Sequence, residues 1–462
     1  GLLPELVGPQ LIVAGEIQPL FPAFDELEID VAAGLRVHFR LEGDLFEMED
    51  QRNWTDASFK TYSTPVGLPR PNHAKPGTRF RQRAELHIHE SRHQVRRTSQ
   101  TAPAVVLGSR SDNAVMPAVG TSLGRASAAD SQLAEALSRL RPGHLRVELG
   151  VDGTPSEQLA DLAALVRGAG ADLELELALP ADDLEAQTWL THLATILSEL
   201  ALTPARVALA RVGEPVTTVR TAHLAREHVG VLTLLGGAPG NFAELNRDPP
   251  PAGAPIDGLY YAVNPQVHDT DDRSIMQSPS GQRATVATAL QLPGRRPVHL
   301  TPITFQPRHA RHPDSRQGSP IAAAWLVASA DAVVSAGVAS ATWFELWGPF
   351  GLCQSGRTFP TFHVLCELCS WRGLPLAAAR SSEVESLAAI GVHSEAGTRL
   401  LVANLTGAAI EMRVEGLVGE IAIGRVNADG WTEQTAVFPG GRDGPALAAY
   451  ETALLHIPAT AR

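Results

Sequence analysis

The sequence predicts an α/β chain: a (β/α)8 TIM barrel with an N-terminal β-sandwich part before it and a C-terminal antiparallel β-sandwich after it. Eight short apolar runs recur between about residue 112 and residue 375, and the first three are each followed by an amphipathic helical stretch. Before and after that region the pattern turns to period-two alternation broken by Gly, Pro and Asn turns. Three domains follow, at residues 1–105, 106–375 and 376–462, and 462 residues suffice for them.

In the first domain, "LEIDVAAGLRVHFRLEG" and "RFRQRAELHIHE" alternate as strands around a polar loop. The chain begins "GLLPELVGPQ" without a methionine, so a truncated N-terminal domain is expected. The barrel runs are "AVMPAVG", "HLRVELG", "DLELELALP", "ARVALARVGEP", "VGVLTLLGG", "GLYYAVNPQVH", "RPVHLTPITF" and "SATWFELWG". Repeats of this length fit a closed barrel better than an open doubly wound sheet. No G-x-G-x-x-G opens the first helix, and "GGAPG" lacks the Lys-Ser/Thr of a phosphate loop, so no nucleotide cofactor is expected. The last domain alternates through "SLAAIGVHSEAG", "RLLVANLTG" and "GEIAIGRVNADG", as in a small sandwich.

Composition narrows the function. The formal net charge is -12 and no basic run carries interleaved aromatics, which argues against a nucleic-acid partner. No apolar run is long enough for a membrane-spanning helix. Cys353, Cys366 and Cys369 are an odd set, and the C-x-x-C in "FPTFHVLCELCSW" lies on an apolar helix face. Buried thiols and a cytoplasmic location are the expectation. His87 and His89 share a strand face without further ligands nearby in sequence, so no metal is expected.

Barrel enzymes work at the C-terminal ends of their strands. There the fourth run delivers Glu214, and the eighth delivers Glu345 between Trp343 and Trp347. The second run carries Glu148, and the fifth leads to Glu244, Asn246 and Arg247. The sixth ends with Asn264, Gln266 and His268; the seventh offers His299, Thr301, Thr304 and Arg308. Singly, each has a plain reading as a helix cap, ion-pair partner or loop residue. Together, acids, amides, imidazole, guanidinium and indole suit a polyhydroxylated small molecule, whose hydroxyls are costly to bury unpaired. Glu214 at the fourth strand looks like the acid/base of the large retaining glycosidase clan. That clan also needs a carboxylate ending the seventh strand, and "HLTPITFQPR" contains none.

The stretches "GDLFEMEDQRNWTDASFKTYSTP", "FAELNR", "NPQVHDTDDRS", "WFELWGPFGL", "FPTFHVL" and "LLVANLTG" resemble the D-apionate lactonase family, over the whole chain and in family order. The resemblance implies a TIM barrel between two β domains and hydrolysis of D-apionolactone to D-apionate in apiose catabolism. On the residues themselves, Glu214 is the expected general base on water, and Glu345 the group that protonates the ring oxygen or orients hydroxyls. Arg308, His268 and Lys60 are the candidate oxyanion donors. Lys60 is one of only two lysines and lies in the most polar-aromatic segment; either its Asn53, Asp56 and Lys60 close the pocket from outside the barrel, or Trp54 and Phe59 glue the domains while the polar residues pair with each other. A second reading is a glycoside hydrolase, favoured if Asp269, Glu244 or another acid lies about 5 Å from Glu214. A third is a non-catalytic carbohydrate-binding protein whose acids are tied up in structural salt bridges.

Overall fold

A computed structural model describes residues 3–32, 34–69, 71, 73–90, 102–108, 114–124, 131–150, 155–230, 232–415, 419–438 and 444–459. Its centre is a closed barrel in which strands and helices alternate. They are β1 (Ala118–Ser122), α1 (Ser131–Leu140), β2 (His144–Leu149), α2 (Pro155–Ala169), β3 (Asp172–Leu179), α3 (Asp183–Glu199), β4 (Arg206–Arg211) and α4 (Val219–Val229). The second half continues with β5 (Thr233–Ala238), α5 (Phe242–Arg247), β6 (Gly258–Val263), α6 (Asp272–Ala289), β7 (Val298–Ile303), α7 (Pro320–Ser335), β8 (Ser340–Trp347) and α8 (Pro360–Ser370). Each strand pairs in parallel with the next, and β8 closes on β1 through Ser340↔Ala118 and Thr342↔Gly120. The expected barrel is therefore present, and all eight apolar runs are its strands.

Alternate side chains along these strands part into two environments. Leu145, Val147, Leu173, Leu175, Leu177, Val207, Leu209, Leu259 and Leu300 join the helices in one continuous apolar layer. Those facing the barrel axis are largely polar. On β2 and β3, Arg146 is in register with Glu174 and Glu148 with Glu176, and Glu174 is in register with Arg206 of β4. Glu174 is fully buried. It accepts from Arg206 Nε at 2.8 Å and from Thr301 Oγ1 of β7 at 2.5 Å. His144 Nε2 lies 2.7 Å from Thr342 Oγ1, and His299 Nδ1 lies 2.7 Å from Ser340 Oγ.

These groups titrate far from their ordinary values. Burial lowers His144 and His299 from 6.5 to about 4, so both imidazoles are neutral at pH 7. For Glu174 burial acts upwards, but the charge that His144 gains below about pH 4, the charge of Arg206 and the hydrogen bonds from Thr301 and Arg206 outweigh it and hold the carboxyl at about 2. Above this layer Tyr260 packs with Leu235 and Ala208, and its hydroxyl donates to Leu209 O at 2.9 Å.

Ahead of the barrel stands an antiparallel sheet of Glu26–Ala32, Leu35–Glu42 and Arg83–Glu90, with a hairpin of Glu47–Asp50 and Phe59–Tyr62. The turn Gln51–Trp54 within the hairpin docks on α5 and α6. Asp50 caps it, and Thr55 ends it with a φ of 70°. Thr55 Oγ1 donates to Asn264 O at 2.8 Å. Helix α6 carries Pro279 and Gly281, residues that normally weaken a helix interior. Gly281 is needed for contact: a Cβ there would lie 2.4 Å from Thr55 O and 3.0 Å from Asp56 O.

Behind the barrel, Leu387–Ser394, Gly397–Asn404, Thr452–Pro458, Gly419–Asn427 and Gly430–Phe438 form a five-stranded antiparallel sheet in that spatial order. The strand Ala104–Leu107, which straddles the expected boundary at residues 105/106, pairs with Ala379–Ser381 and Arg413–Glu415. A strand from before the barrel thus completes a layer behind it. Helix α7 is apolar all round because the barrel covers one side and this domain the other, with Trp325, Leu326 and Val327 fully buried.

Two outcomes follow. Gly→Ala inside a helix ordinarily stabilises by about 0.5–1 kcal/mol, but Gly281→Ala will destabilise by about 1–3 kcal/mol through overpacking, read as a lowered urea midpoint. An unchanged or raised midpoint contradicts the close approach. Acid will also weaken the barrel. Since His144, His299 and Glu174 all hold folded values below their unfolded ones, the unfolded chain binds more protons as pH falls. The melting temperature will drop from about pH 6.5 to 4 as the unfolded imidazoles protonate, and further from 4.5 towards 2 through Glu174. His144→Gln will flatten the upper limb, and a profile flat in both proteins from pH 7 to 4 contradicts the assignment.

Candidate active site

At the C-terminal mouth of the barrel four charged side chains form a closed network. Arg146 Nη2 donates to Glu176 Oε2 at 2.5 Å and Nε at 3.2 Å, while Nη1 reaches Ser122 Oγ of β1 at 3.3 Å. Arg308, in the loop after β7, crosses to the same carboxylates. Its Nη2 lies 2.8 Å from both Glu148 Oε2 and Glu176 Oε1, and its Nη1 donates to Pro239 O of the β5 loop at 2.8 Å. Arg146 Nη2 completes the ring on Glu148 Oε2 at 3.4 Å. Glu176 is buried, but the Glu148 side chain is 51% exposed and is the carboxylate that the mouth presents to solvent. Burial would raise the Glu148 carboxyl; the guanidinium of Arg308, then that of Arg146, outweighs it and keeps the group ionised. Burial likewise opposes charge on Arg308, yet Glu176 and Glu148 hold its guanidinium firmly protonated.

Glu345 joins this face through an irregularity in β8. Against β1, Thr342 pairs with Gly120 and Glu345 pairs with Ser122, so three steps on β8 match two on β1. The extra residue is taken up where Phe344 adopts a φ of 56°. Trp343 and Phe344 therefore both face the helix layer. The Trp343 indole donates to Ser329 Oγ of α7 at 3.0 Å, and the Phe344 ring meets Trp325. The bulge turns Glu345 back to the side of Ser122, the residue bonded by Arg146. Gly124 gives its carboxylate room, because a Cβ there would lie 2.6 Å from Oε2. Trp343, expected among the groups that meet a substrate, is instead a fully buried core residue on the helix side of β8.

Glu214 stands after β4, as expected, but its carboxylate is engaged in the layer between strand and helix. Both oxygens accept from Thr221 Oγ1 at 2.9 Å, one accepts from Thr218 Oγ1 at 3.2 Å and the other from Thr218 N at 3.3 Å. These groups form the first turn of α4, whose N-cap is Thr218, and Arg211 Nη1 lies 3.8 Å away. The plain reading of a rim glutamate, a helix cap, describes this geometry.

The remaining expected residues divide between two places. Asn53 and Asn246 join domains: Asn246 Nδ2 donates to Asn53 Oδ1 at 3.0 Å and to Val7 O at 3.2 Å, and Asn53 Nδ2 donates to Gly8 O at 2.8 Å. Both are nearly sealed from solvent, which corrects their expected role in holding a substrate. Asn264 is a turn residue whose side chain accepts from Gln266 N at 3.1 Å. Glu244, in the first turn of α5, folds back beneath Gly240. Asp56, Lys60 and His268 line a separate cavity between the hairpin and the β6–α6 loop; its walls include neither Glu345 nor any member of the four-charge network.

The residues missed in the sequence are Arg146, Glu174 and Glu176. Their signal was present: "HLRVEL" and "DLELEL" place charge at every second position of strands that a parallel barrel buries on both faces. Among the described residues no group of three His, Cys, Asp or Glu is arranged to hold a metal ion. The three cysteines are thiols, and burial pushes Cys353 and Cys366 up to about 12.

Comparison with known proteins agrees with this architecture. The chain is 29% identical over 381 residues to a protein of Brucella anthropi named D-apionate lactonase, a match covering 75% of this chain and 62% of that one. This chain thus spans less than two thirds of that relative's length. Among solved structures, a glycoside hydrolase family 30 xylanase from Clostridium acetobutylicum has a TM-score of 0.53 at 10% identity, covering 77% of this chain and 98% of its own. A glucosidase from Croceicoccus marinus has a TM-score of 0.56 at 12% identity, covering 78% and 99%. A rhamnosyl-glucuronidase from Fusarium oxysporum has a TM-score of 0.55 at 10% identity, covering 77% and 100%. At such identities these three share the fold alone. The model of the D-apionate lactonase TIM barrel domain matches residues 118–373 and that of the N-terminal domain residues 9–91, and on that ground the chain belongs to the D-apionate lactonase family.

Proposed function

We propose that this protein hydrolyses a branched aldonolactone, D-apionolactone to D-apionate in the catabolism of apiose, at the mouth of the barrel. The observation that carries the reading is the mouth itself: the β8 bulge turns Glu345 to the side of Ser122, which Arg146 bonds, and Arg146 and Arg308 are held by Glu148 and Glu176. A lactone already holds a carbonyl carbon, so water attacks it directly. Glu345 takes a proton from that water as the new C–O bond forms, and the Arg308 guanidinium meets the oxyanion. Collapse breaks the ring C–O bond, and Glu345 returns the proton to the departing ring oxygen. The product acid ionises, so each turnover releases one proton. Glu148 stays ionised throughout and accepts hydrogen bonds from substrate hydroxyls, and Glu214 supports α4.

A glycosidase reading draws support from one distance relation. Glu148 and Glu176 each lie 2.8 Å from the same Arg308 nitrogen, which places them near the separation of about 5 Å used by retaining enzymes. Two facts weigh against it. The acid of such a pair needs a raised pKa, and Glu148 is lowered by Arg308 and Arg146 against the effect of burial. The inward groups of β7 are His299 and Thr301, neither of them a carboxylate.

The test offers the purified protein a panel of aldonolactones and nitrophenyl glycosides, following acid release and colour. Lactones will be opened and glycosides left intact; turnover of a nitrophenyl furanoside without lactone opening would overturn the proposal. Glu345→Gln will lower kcat by ~10²-fold or more in a folded protein, the scale of losing a general base. Glu214→Ala will cost about 1 kcal/mol of stability and leave kcat near wild type. The reverse ranking of these two variants would return the base role to Glu214.

A further inference from the structure

The cavity between the N-terminal hairpin and the β6–α6 loop has a volume of about 350 Å³, the size of a small-molecule site. We infer that it binds a small polyhydroxylated monocarboxylate, a sugar acid, with the Lys60 ammonium on the carboxylate. The inference does not rest on the reaction proposed for the barrel mouth.

The charges around the cavity decide the ligand. Asp56 is buried beside His268, with Oδ2 at 2.7 Å from Nδ1, and the Trp54 ring abuts the imidazole edge-on. Burial raises the Asp56 carboxyl, and the hydrogen bond and charge of His268 pull it back down. These two satisfy each other. Asp269 Oδ1 accepts from the backbone N–H of Thr270 at 2.7 Å and of Asp271 at 3.4 Å, where the chain enters α6. Lys60 is different. It lies opposite Glu49 in the hairpin register, the usual place for a cross-strand ion pair. Glu49 instead accepts from Gln10 Nε2 at 3.1 Å, and the Lys60 ammonium has no hydrogen-bond or ion-pair partner among the described residues. An exposed lysine facing a cavity without a partner offers a carboxylate site at little desolvation cost.

The other lining groups set the rest of the ligand. Ser58 Oγ donates to Gln51 Oε1 at 2.9 Å and Ser274 Oγ to Asp271 Oδ2 at 2.7 Å, which leaves both hydroxyls as acceptors; Gln277 donates and accepts, and Asp269 accepts only. Hydroxyls donate to such acceptors and accept from such donors. A divalent cation would face the Lys60 ammonium, and a phosphate dianion would meet one cation and two carboxylates. A neutral polyol would leave the ammonium unused. A single carboxylate carried on a hydroxylated chain matches each group in turn.

Isothermal titration calorimetry on the full chain tests this with sodium threonate as the probe and threitol as its neutral counterpart. Threonate will bind the wild type and Arg308→Met alike, and Lys60→Met will weaken it by about 10- to 150-fold, the loss of one charged hydrogen bond. Threitol will bind more weakly than threonate by a similar factor. Equal affinity of Lys60→Met and wild type, or loss of binding in Arg308→Met alone, would place the sugar acid at the mouth and overturn the inference. Absence of threonate binding to the wild type, or equal binding of threitol, would overturn it as well. None of these readouts uses catalysis, so the lactonase proposal stands or falls separately.

Discussion

Charge pairing inside the barrel is the constraint on which the rest of this structure depends. Barrels of this class fill their interiors with branched aliphatic side chains, whereas here Arg146, Glu174, Glu176 and Arg206 occupy that space. A buried charge whose partner is removed costs about 3–5 kcal/mol, so the pairs hold the strands that carry them in register. Arg146–Glu176 ties β2 to β3, and Arg206–Glu174 ties β3 to β4. Arg308 extends the same logic across the mouth and pins the β7 loop over β2, β3 and β5. From that loop, Arg316 bonds Asp314 at 2.6 Å, Asp272 at 2.6 Å and Thr270 O at 2.9 Å, and so fixes the loop that bears His268. The geometry of the mouth descends from these ion pairs.

The second determinant is the single-residue bulge in β8. Without it, strict alternation would direct Phe344 at the axis and Glu345 at the helices. With it, two successive aromatics pack on α7, and the acid reaches the mouth. Helix α7 can be apolar on every side because the C-terminal domain covers the face that the barrel leaves open. Packing around the bulge and the inward turn of Glu345 are consequences of the same local insertion.

The fold was legible because barrel strands announce themselves as short apolar runs at regular spacing, and each of the eight runs is a strand. What the sequence concealed was direction. Glu214 and Glu345 both end barrel strands, yet a helix start claims one and a bulge aims the other, and neither event leaves a local pattern. Trp343 beside Glu345 read as a substrate group, yet plain strand alternation after Thr342 turns it into the core. Asn53 and Asn246 read as substrate amides, but they bond each other across 193 residues of chain, a contact invisible in one dimension. The strand Ala104–Leu107 joined the distant C-terminal layer for the same reason. The charged interior was legible in principle. "HLRVEL" and "DLELEL" alternate where a buried parallel strand should not, and the alternation should have pointed to Arg146, Glu174 and Glu176.

The central claim is that the guanidinium bridging Glu148 and Glu176 does chemistry as well as holding loops. Steady-state kinetics of Arg308→Met on D-apionolactone, with circular dichroism to confirm a folded barrel, tests it most directly. The account predicts a fall in kcat of ~10²–10³-fold, the scale of removing one oxyanion donor, with a much smaller change in KM. A folded Arg308→Met protein that opens the lactone at the wild-type rate would contradict it.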